Sequence, residues 1–336
     1  MANVFDIHDW EAKPWYNTGG TRAKKYIESP DGKYYYFKRS EYKTARNGKP
    51  EKDYRYEFWS EIISYEVGKL LGFDVLEYNI ALDGKVVGCI CEDMIDSGKE
   101  ELIGGVQYLQ GVDHSFDPGE KEFRKKYTFQ LIESALKEYG LEHFLKKIVE
   151  MIVFDTIIGN SDRHQENWAI ITEHTTLVKA IKRFDKLFIS DEEERKVFHD
   201  AKLLLSNKER FAPLFDNGSS LGRELTEQRV DGLLRNENEL SSYIIKGKAE
   251  IHWNEKKLFH FQLLEKMLET SYREILLEYI ERTRNHFNAD TLQQIVRNVD
   301  ESLPRSHEGY SLPLKRKELI TKLLTLRAQK LFEYLS

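Results

Sequence analysis

A polar turn at residues 159–167 lies between two apolar segments, and it constrains the fold of this chain more than any other stretch. Residues 141–158, before the turn, carry apolar side chains at helical spacing and are predicted to form a helix. Residues 168–171, after the turn, are apolar and predict a short strand. The chain must therefore present a cluster of polar side chains where a helix passes into a strand.

Two polar residues of this turn have a spacing with a chemical meaning. Asp162 and Asn167 are separated by the same interval as the Asp and Asn of the protein-kinase catalytic loop, where Asp accepts a hydroxyl proton and Asn holds a metal ion. His164 lies between them without other His or Cys residues at zinc-ligand spacing, so it is predicted to donate to a phosphate or to brace the turn. Arg163 is predicted either to brace Asp162 or to contact a substrate.

A second carboxylate is expected across the metal, and Asp216 is the predicted ligand. The sequence Asp216-Asn217-Gly218 follows apolar residues 211–214 and is similar to the Asp-Phe-Gly element of kinases. Asn, Asp and Gly also dominate ordinary turns, so each polar segment taken singly fits a turn without catalytic function. Their order, the apolar strands beside them and the lysine-bearing segment before them favour a catalytic and metal site.

The first 95 residues predict a small, mostly antiparallel sheet around one helix. Turn signals at Pro30-Asp31-Gly32 and Leu82-Asp83-Gly84 separate strand-like segments. Residues 57–71 have helical spacing, and Gly72 follows them as a stop signal. This part of the chain therefore predicts a β-rich lobe.

Helical spacing dominates the rest of the chain. A loop at 96–119 precedes predicted helices at 121–139 and 141–158, and the residues from 224 onward predict a helical bundle. The sequence thus favours an α+β architecture.

The change of pattern near residue 96 divides the chain into two predicted lobes. Residues 1–95 form the β-rich, nucleotide-binding lobe, and residues 96–336 form the helical lobe with the catalytic turn and metal site. The long charged segment at 175–208 suggests a helical hairpin inserted between two strands. An insertion there leaves the strand pairing around Asp216 open.

The β-rich lobe carries residues suited to one half of a nucleotide site. Lys38 lies on a predicted strand, in the place of the kinase lysine that contacts phosphates, and Glu61 on the following helix could pair with it. The strand end at Glu92 and Met94 would bind adenine through its backbone. Small residues that let backbone N–H groups approach phosphates stand at the start of the first hairpin: Thr18, Gly19, Gly20 and Thr21. The alternative interpretation of Lys38 is a lysine that extends into solvent from a sheet edge, and that of residues 18–21 is an ordinary loop.

The polar turn resembles the catalytic loop of HipA-like kinases, which are bacterial serine/threonine kinases. Their pattern Gly-x-x-Asp-x-His-x-x-Asn is matched by Gly159, Asp162, His164 and Asn167. The resemblance extends from about residue 16 through the last helices. It also assigns roles elsewhere in the chain: Asp216 as metal ligand, Lys38 and Glu61 as the nucleotide pair, and Glu92 and Met94 as the hinge.

This resemblance implies a two-lobed protein-kinase-like fold, ATP and Mg²⁺ as cofactors, and a Ser or Thr acceptor on a protein substrate. It also implies autophosphorylation, for which Thr18 and Thr21 are hydroxyl groups at a suitable position. The chain begins almost directly with the glycine loop. It is therefore similar to the short, stand-alone members, which lack an N-terminal subdomain and whose small inhibitory, antitoxin-like partners can be encoded separately.

Three functions remain open at this stage. A serine/threonine protein kinase is the leading hypothesis. The form Asp-Arg-His-x-x-Asn is also similar to phosphatidylinositol kinases, so a lipid or small-molecule kinase is an alternative. A non-catalytic, nucleotide-binding, toxin-like regulator is the third, although a chain without catalysis has no chemical need for Lys38, Asp162, Asn167 and Asp216 together. The substrate and the oligomeric state are not predicted.

Composition limits partners and location. A formal net charge of −6 argues against general nucleic-acid binding, because that affinity comes largely from Lys and Arg. Neither a signal peptide nor an apolar stretch of membrane-spanning length is recognised. Cys89 and Cys91 are poorly spaced for a disulfide and are predicted to pack behind the nucleotide site in a reducing compartment. A cytoplasmic protein is therefore expected, with a secreted effector left open.

Overall fold

The β-strands lie in three sheets within the part of the chain that the structure describes. This computed structural model describes residues 2–14, 24–39, 41–43, 52–117, 119, 121–173 and 208–336. The strands are β1 (Val4–Asp6), β2 (Glu11–Ala12), β3 (Lys24–Glu28), β4 (Tyr34–Arg39), β5 (Glu41–Lys43), β6 (Lys52–Tyr54), β7 (Asn79–Asp83), β8 (Val86–Glu92), β9 (Glu100–Gly104), β10 (Ala169–Glu173) and β11 (Lys208–Phe211). Their orders are β1-β7-β8-β4-β3-β2, β11-β10-β9 and β5-β6.

The largest sheet is the core of the β-rich lobe, and both predicted turns are present in it. Gly32 (φ 81°) and Gly84 (φ 61°) have the left-handed backbone that tight hairpin turns require. The pairs β3–β4, β4–β8 and β7–β8 are antiparallel, as predicted. The first strand pairs in parallel with β7 and extends the sheet by residues that had no strand prediction.

Gly88 lies in β8, where the backbone of β4 passes very close. A Cβ at this position would lie 2.2 Å from the carbonyl oxygen of Lys38 and 2.8 Å from the ring of Phe37. Gly88→Ala should therefore lower the free energy of unfolding by about 1–3 kcal/mol, because the two strands must separate. Urea denaturation measures this. Gly309→Ala is the control, since a Cβ there meets nothing within 4 Å, and equal losses at both positions would contradict the prediction.

Helix α1 (Glu57–Leu71) has the predicted bounds and packs its apolar face into the core. Gly72 ends it in the left-handed conformation (φ 79°), and its N–H donates to the carbonyl of Lys69. Ile62 and Val67 are fully buried, and Glu61 is only 1% exposed. A charged side chain is therefore held in the interior by this helix.

The rest of the described residues are mainly helical, as predicted. The α-helices are α2 (Gly105–Val112), α3 (Phe129–Glu138), α4 (Leu145–Ile158), α5 (Glu227–Arg235), α6 (Glu237–Ile245), α7 (His260–Leu268), α8 (Arg273–His286), α9 (Ala289–Arg297) and α10 (Leu314–Phe332). Among the residues that the structure describes, no helix combines the length and the apolar character that crossing a bilayer requires.

Two sequence predictions in this lobe were wrong. The helix predicted at 121–139 is interrupted, because Thr128 has an extended backbone and its hydroxyl accepts the Leu131 N–H as the N-cap of α3. Phe129 N–H donates to the carbonyl of His252, so this stretch bonds to a distant segment. The loop predicted at 96–119 contains β9 and α2, which are too short to show a clear period.

The three-stranded sheet brings the two polar segments together. β10 is antiparallel to both β9 and β11, and Ile170 pairs with Phe211. The start of β10 is thus beside the end of β11. The turn before Ala169 and the loop after Phe211 therefore leave the sheet at the same end of these two strands. The connection at 174–207 is outside the described residues, and the predicted insertion at 175–208 lies there apart from Lys208 in β11.

Candidate active site

The polar turn at residues 159–167 begins where α4 ends. Gly159 closes that helix in the left-handed conformation (φ 66°), and the side-chain oxygen of Asn160 accepts the backbone N–H of Asp162 at 3.1 Å. The side-chain nitrogen of Asn167 donates to the carbonyl oxygen of Asp162 at 2.8 Å. Because this bond uses the amide nitrogen, Oδ1 of Asn167 is the atom left to bind a cation.

Asp216 lies in the loop after β11 and has a left-handed backbone, with φ of 55°. A non-glycine residue rarely adopts this conformation, so its neighbours hold it in place. Its Oδ1 accepts a hydrogen bond from Lys38 Nζ at 3.0 Å, and its Oδ2 lies 3.7 Å from Lys24 Nζ. Its side chain is 17% exposed. The carboxylate is therefore reachable while two ammonium groups compensate its charge.

Lys38 donates to three oxygens at the base of the site. Its Nζ lies 2.7 Å from Glu61 Oε1, 3.0 Å from Asp216 Oδ1 and 3.1 Å from the Tyr78 hydroxyl. Burial opposes the charged form, but Asp216 and Glu61 outweigh it and raise the pKa of Lys38 well above its ordinary value. The ammonium group is therefore charged at neutral pH and fixed in position.

Glu61 connects this lysine to the loop that carries Asp216. While Oε1 accepts from Lys38, Oε2 accepts the backbone N–H of Asn217 at 2.7 Å. The neighbouring turns of α1 add contacts to the same loop, since the hydroxyl of Ser60 donates to the carbonyl of Ser220 at 3.3 Å. The position of α1 is thus coupled to the position of Asp216.

Arg163 is buried, so the predicted exposed contact to a substrate is wrong, and it braces the turn of Asp162 through bonds to other residues. Only 1% of it is exposed, and its guanidinium group forms a forked ion pair with Asp155 of α4, with N–O distances of 2.8 to 3.2 Å. The same group donates to the carbonyls of Asn167 and Phe215 and to the side-chain oxygen of Asn217. Burial opposes its charge, but Asp155 raises the pKa of Arg163. Arg163 therefore connects the turn of Asp162 to the loop of Asp216 through hydrogen bonds.

The carboxylate of Asp162 faces a hydroxyl group. Its Oδ2 accepts a hydrogen bond from Ser219 Oγ at 3.1 Å, and Arg223 donates to that same Oγ at 2.9 Å. Arg223 in turn lies 3.2 Å from Glu57 at the start of α1. This arrangement shows that Asp162 can accept a hydrogen bond from a hydroxyl of the kind a phosphoryl acceptor would offer.

Lys38, Asp162, Asn167 and Asp216 open into one cleft. Residues from the β-rich lobe and from both polar segments line it: Lys24, Tyr36, Lys38, Leu76, Tyr78, Cys91, Asp93, Met94, Leu102, Gly104, Asp162, His164, Glu166, Asn167, Ala169, Phe215 and Asp216. The strands contribute apolar side chains such as Leu102 together with the charged Lys24 and Lys38, and the two polar segments contribute the carboxylates Asp162 and Asp216. Burial raises the pKa of Cys91 to about 12, so this lining residue is a thiol rather than a thiolate.

Several predicted residues differ in how directly they reach the cleft. Met94 lines it, whereas the side chain of Glu92 is half exposed and pairs with Lys33 at 2.9 Å. His164 lines it as well, and its Nδ1 accepts the backbone N–H of Glu166 at 3.3 Å. The predicted phosphate-contacting residues Thr18, Gly19, Gly20 and Thr21 lie outside the described residues.

Lys24 and Tyr78 are site residues that had no sequence prediction. The strand register places Lys24 directly opposite Lys38, and Tyr78 precedes β7. Successive side chains of a strand point to opposite faces, so only one of Lys24 and Lys25 can face the cleft. The sequence alone does not show which of the two it is. The register that decides between them depends on pairing with β4.

The donor set fits a magnesium ion bound together with phosphates. Within the described part of the chain, no group of three or more His, Cys, Asp or Glu side chains is placed to hold a metal. Mg²⁺ characteristically takes one or two carboxylates, keeps several waters and shares phosphate oxygens of its substrate. Asp216 and the Oδ1 atom of Asn167 supply two such oxygen ligands. They suit an Mg²⁺ ion that also binds water and phosphate, and they are too few for a site built wholly from protein ligands.

Solved structures with a similar fold were found, but no family model and no curated protein matches the chain. The proinflammatory kinase CtkA of Helicobacter pylori matches with a TM-score of 0.68 and 19% sequence identity, over 99% of this chain and 96% of that chain. HipA of Shewanella oneidensis MR-1, from a toxin–antitoxin complex with HipB and operator DNA, matches with a TM-score of 0.49 and 13% identity, over 97% and 66%. The chain has the two-lobed kinase-like fold of CtkA, and the predicted fold class is confirmed.

Proposed function

We propose that the chain is an ATP- and Mg²⁺-dependent phosphotransferase whose acceptor is a Ser or Thr hydroxyl of a protein. The observation that carries this proposal is the meeting of Asp162, Asn167 and Asp216 in one cleft with the charged Lys38. Those groups come from three separated segments of the chain. Ordinary turns would have no reason to converge there, and phosphoryl transfer needs this combination of acceptor-positioning carboxylate, metal ligands and phosphate-binding cation.

Each residue has a role that follows from its contacts. Lys38, held by Glu61, would bind phosphate oxygens, and Asn167 and Asp216 would hold Mg²⁺. When bound, Mg²⁺ would neutralise phosphate charge. Asp162 would orient the acceptor hydroxyl and take its proton as the oxygen bonds to the γ-phosphorus, while the bond to the bridging oxygen breaks and ADP leaves.

The outer parts of the site are proposed on the resemblance. The adenine ring would lie at the strand end near Met94, which lines the cleft, with the backbone of Glu92 beside it. His164 would donate to a phosphate or hold the turn. Autophosphorylation at Thr18 or Thr21, a small antitoxin-like partner and a cytoplasmic location also belong to this proposal.

The metal site can be tested with Asp216→Asn. This variant keeps the shape of the side chain but removes the charge that would hold Mg²⁺, so MgATP should bind at least about tenfold more weakly, as measured by calorimetry. Asp231→Asn is the matched control, since Asp231 also pairs with a lysine, Lys315, but does not line the cleft. If the parent bound ATP equally well with Mg²⁺ and with EDTA, the metal assignment would be wrong.

The acceptor class can be tested with labelled ATP and three separate acceptor pools. Protein, lipid and small-molecule extracts are each incubated with the parent and with Mg²⁺. Labelling of protein on Ser or Thr is the expected result. Label confined to lipid or to small molecules would overturn the protein acceptor, and tight MgATP binding without transfer to any pool would favour the non-catalytic regulator.

A further inference from the structure

The polar turn fixes the backbone of Asp162 but not its carboxylate. The N–H of Asp162 donates to the side chain of Asn160, and its carbonyl accepts from the side chain of Asn167. The terminal torsion of an Asp side chain has a broad distribution, so a carboxylate without a partner can rotate. A contact from outside the turn is therefore needed to direct one particular oxygen of Asp162 towards an acceptor.

Ser219 makes that contact. Its hydroxyl donates to Oδ2 of Asp162 at 3.1 Å, and within the described residues this is the one hydrogen bond that the carboxylate accepts. Ser219 is only 5% exposed and, unlike Asp162, it does not line the cleft. The serine is thus too enclosed to be an acceptor itself. It holds Oδ2 from the interior and leaves Oδ1 for an acceptor in the cleft.

Arg223 sets the direction of the Ser219 hydroxyl. It donates to Oγ of Ser219 at 2.9 Å, so a lone pair of Oγ faces Arg223 and the hydroxyl hydrogen faces Asp162. The guanidinium group also lies 3.2 Å from Glu57, and both of these side chains are mostly buried, at 15% and 13% exposed. Arg223, Ser219 and Asp162 therefore form a chain of hydrogen bonds with a charge at each end. Bonds to charged groups are stronger than bonds between neutral ones.

The backbone between Ser219 and Arg223 makes this contact possible. Leu221 has a left-handed backbone, with φ of 56°, which a non-glycine residue rarely adopts. It is buried, and its N–H donates to the carbonyl of Ile158 at 3.0 Å, while the N–H of Arg223 donates to the carbonyl of Ser220 at 3.1 Å. The turn thus brings the side chain of Arg223 back onto Ser219 and bonds to the helix that precedes Asp162.

We propose that Ser219 and Arg223 are positioning residues for phosphoryl transfer, which hold Oδ2 of Asp162 so that Oδ1 takes the proton of the acceptor. This inference rests on the proposed function, because it concerns the base of that reaction. The acceptor proton passes to Oδ1 as the acceptor oxygen bonds to the γ-phosphorus and ADP leaves, and Ser219 keeps its own proton. Neither positioning residue lines the cleft, so both act on the rate of transfer and not on the binding of MgATP.

The experiment measures label transfer from ATP to a fixed amount of the protein pool over a range of MgATP concentrations. Ser219→Ala should lower the maximal rate about tenfold and leave KM for MgATP within about twofold of the parent. Ser29→Ala is the matched control. Ser29 is also 5% exposed and its hydroxyl also donates to a carboxylate, that of Asp31, but it lies in the turn between β3 and β4. This control should transfer label at the parental rate.

Combined substitutions separate positioning from a structural role. If Ser219 acts through Asp162, adding Ser219→Ala to Asp162→Asn should change the residual rate by less than about twofold, because no base is left to orient. A structural contact would lower both rates by the same factor. Arg223→Met should likewise slow the parent and add less than about twofold to the loss in Ser219→Ala. Arg223→Gln replaces Arg223→Met should thermal unfolding show that the methionine variant is not folded.

Each other outcome has a definite meaning. A parental rate for Ser219→Ala, an equal loss in the Asp162→Asn background, or a weaker MgATP affinity in place of a lower rate would overturn the positioning role and leave the proposed function intact. A parent that transfers no label to any pool would overturn the proposed function and the positioning role together.

Discussion

Replacing Asp162 by Asn is expected to lower the rate of phosphoryl transfer about 10²–10⁴-fold. The substitution keeps the size of the side chain and an oxygen that can accept from Ser219, so the turn should keep its shape. An amide cannot take the proton of the acceptor hydroxyl, and that step is the role proposed for Asp162. The measurement is the initial rate of label transfer from ATP under saturating MgATP.

The affinity for MgATP distinguishes a loss of catalysis from a loss of binding. Asp162→Asn should bind MgATP within about threefold of the parent, because the proposed nucleotide and metal contacts come from Lys38, Asn167 and Asp216. Asp231→Asn should transfer label at the parental rate. Transfer by Asp162→Asn as fast as by the parent would remove Asp162 from the mechanism and leave the cleft as a binding site.

Local signals explain why much of the fold was predictable. The bounds of α1 follow from apolar spacing over 15 residues and from Gly72, which ends the helix through its own backbone preference. Gly32 and Gly84 likewise fix their turns by residue type. The predictions failed where short segments depend on distant partners, as at Thr128, whose strand-like backbone bonds to the segment of His252.

The site shows the same division between local and distant information. Asp162, Asn167 and Asp216 could be proposed because each lies in a polar segment whose spacing reports its chemistry. Lys24 could not be distinguished from Lys25, because only the register against β4 decides which of them faces the cleft. The sequence shows which residue types a phosphoryl-transfer site needs. The pairing of the strands decides from which face of the sheet each side chain projects.

The burial of Arg163 was not predicted, for a related reason. In sequence it follows Asp162 directly, and that position left both a bracing role and an exposed contact to a substrate open. Its partners are Asp155, one helical segment earlier, and Asn217, which is distant in sequence. Arg163 and both partners are buried, and the spacing of residues in the sequence does not predict this burial. The burial of the Arg163–Asp155 ion pair has a large consequence for stability.

Replacing Arg163 by Met is expected to lower the free energy of unfolding by about 3–5 kcal/mol, because it leaves Asp155 as an uncompensated buried charge. It also removes the bonds to Asn167, Phe215 and Asn217 that join the two polar segments. Urea denaturation at pH 7 measures the loss. Arg210→Met is the matched control, since its ion pair with Glu100 is at the surface and should contribute only about 0–1 kcal/mol.

The loss should depend on pH in a predictable direction. Burial raises the pKa of Asp155, and Arg163 opposes that shift in the parent. Without Arg163 only the hydrogen bond from Asn160 still opposes the effect of burial, so the pKa of Asp155 rises further and the folded variant binds a proton there at a pH where the unfolded chain has released it. The variant should therefore lose less stability, relative to the parent, near pH 5 than near pH 8.

A double substitution separates the buried charge from the lost contacts. Arg163→Met with Asp155→Leu removes both charges, so it should be more stable than Arg163→Met alone, and its stability relative to the parent should change less between pH 5 and pH 8 than that of Arg163→Met. Its rate of phosphoryl transfer should still be low, because the bonds from Arg163 that join the turn of Asn167 to the loop of Asp216 are lost. If the double variant transferred phosphate at the parental rate, Arg163 would be a stabilising residue only, without a part in positioning the metal ligands.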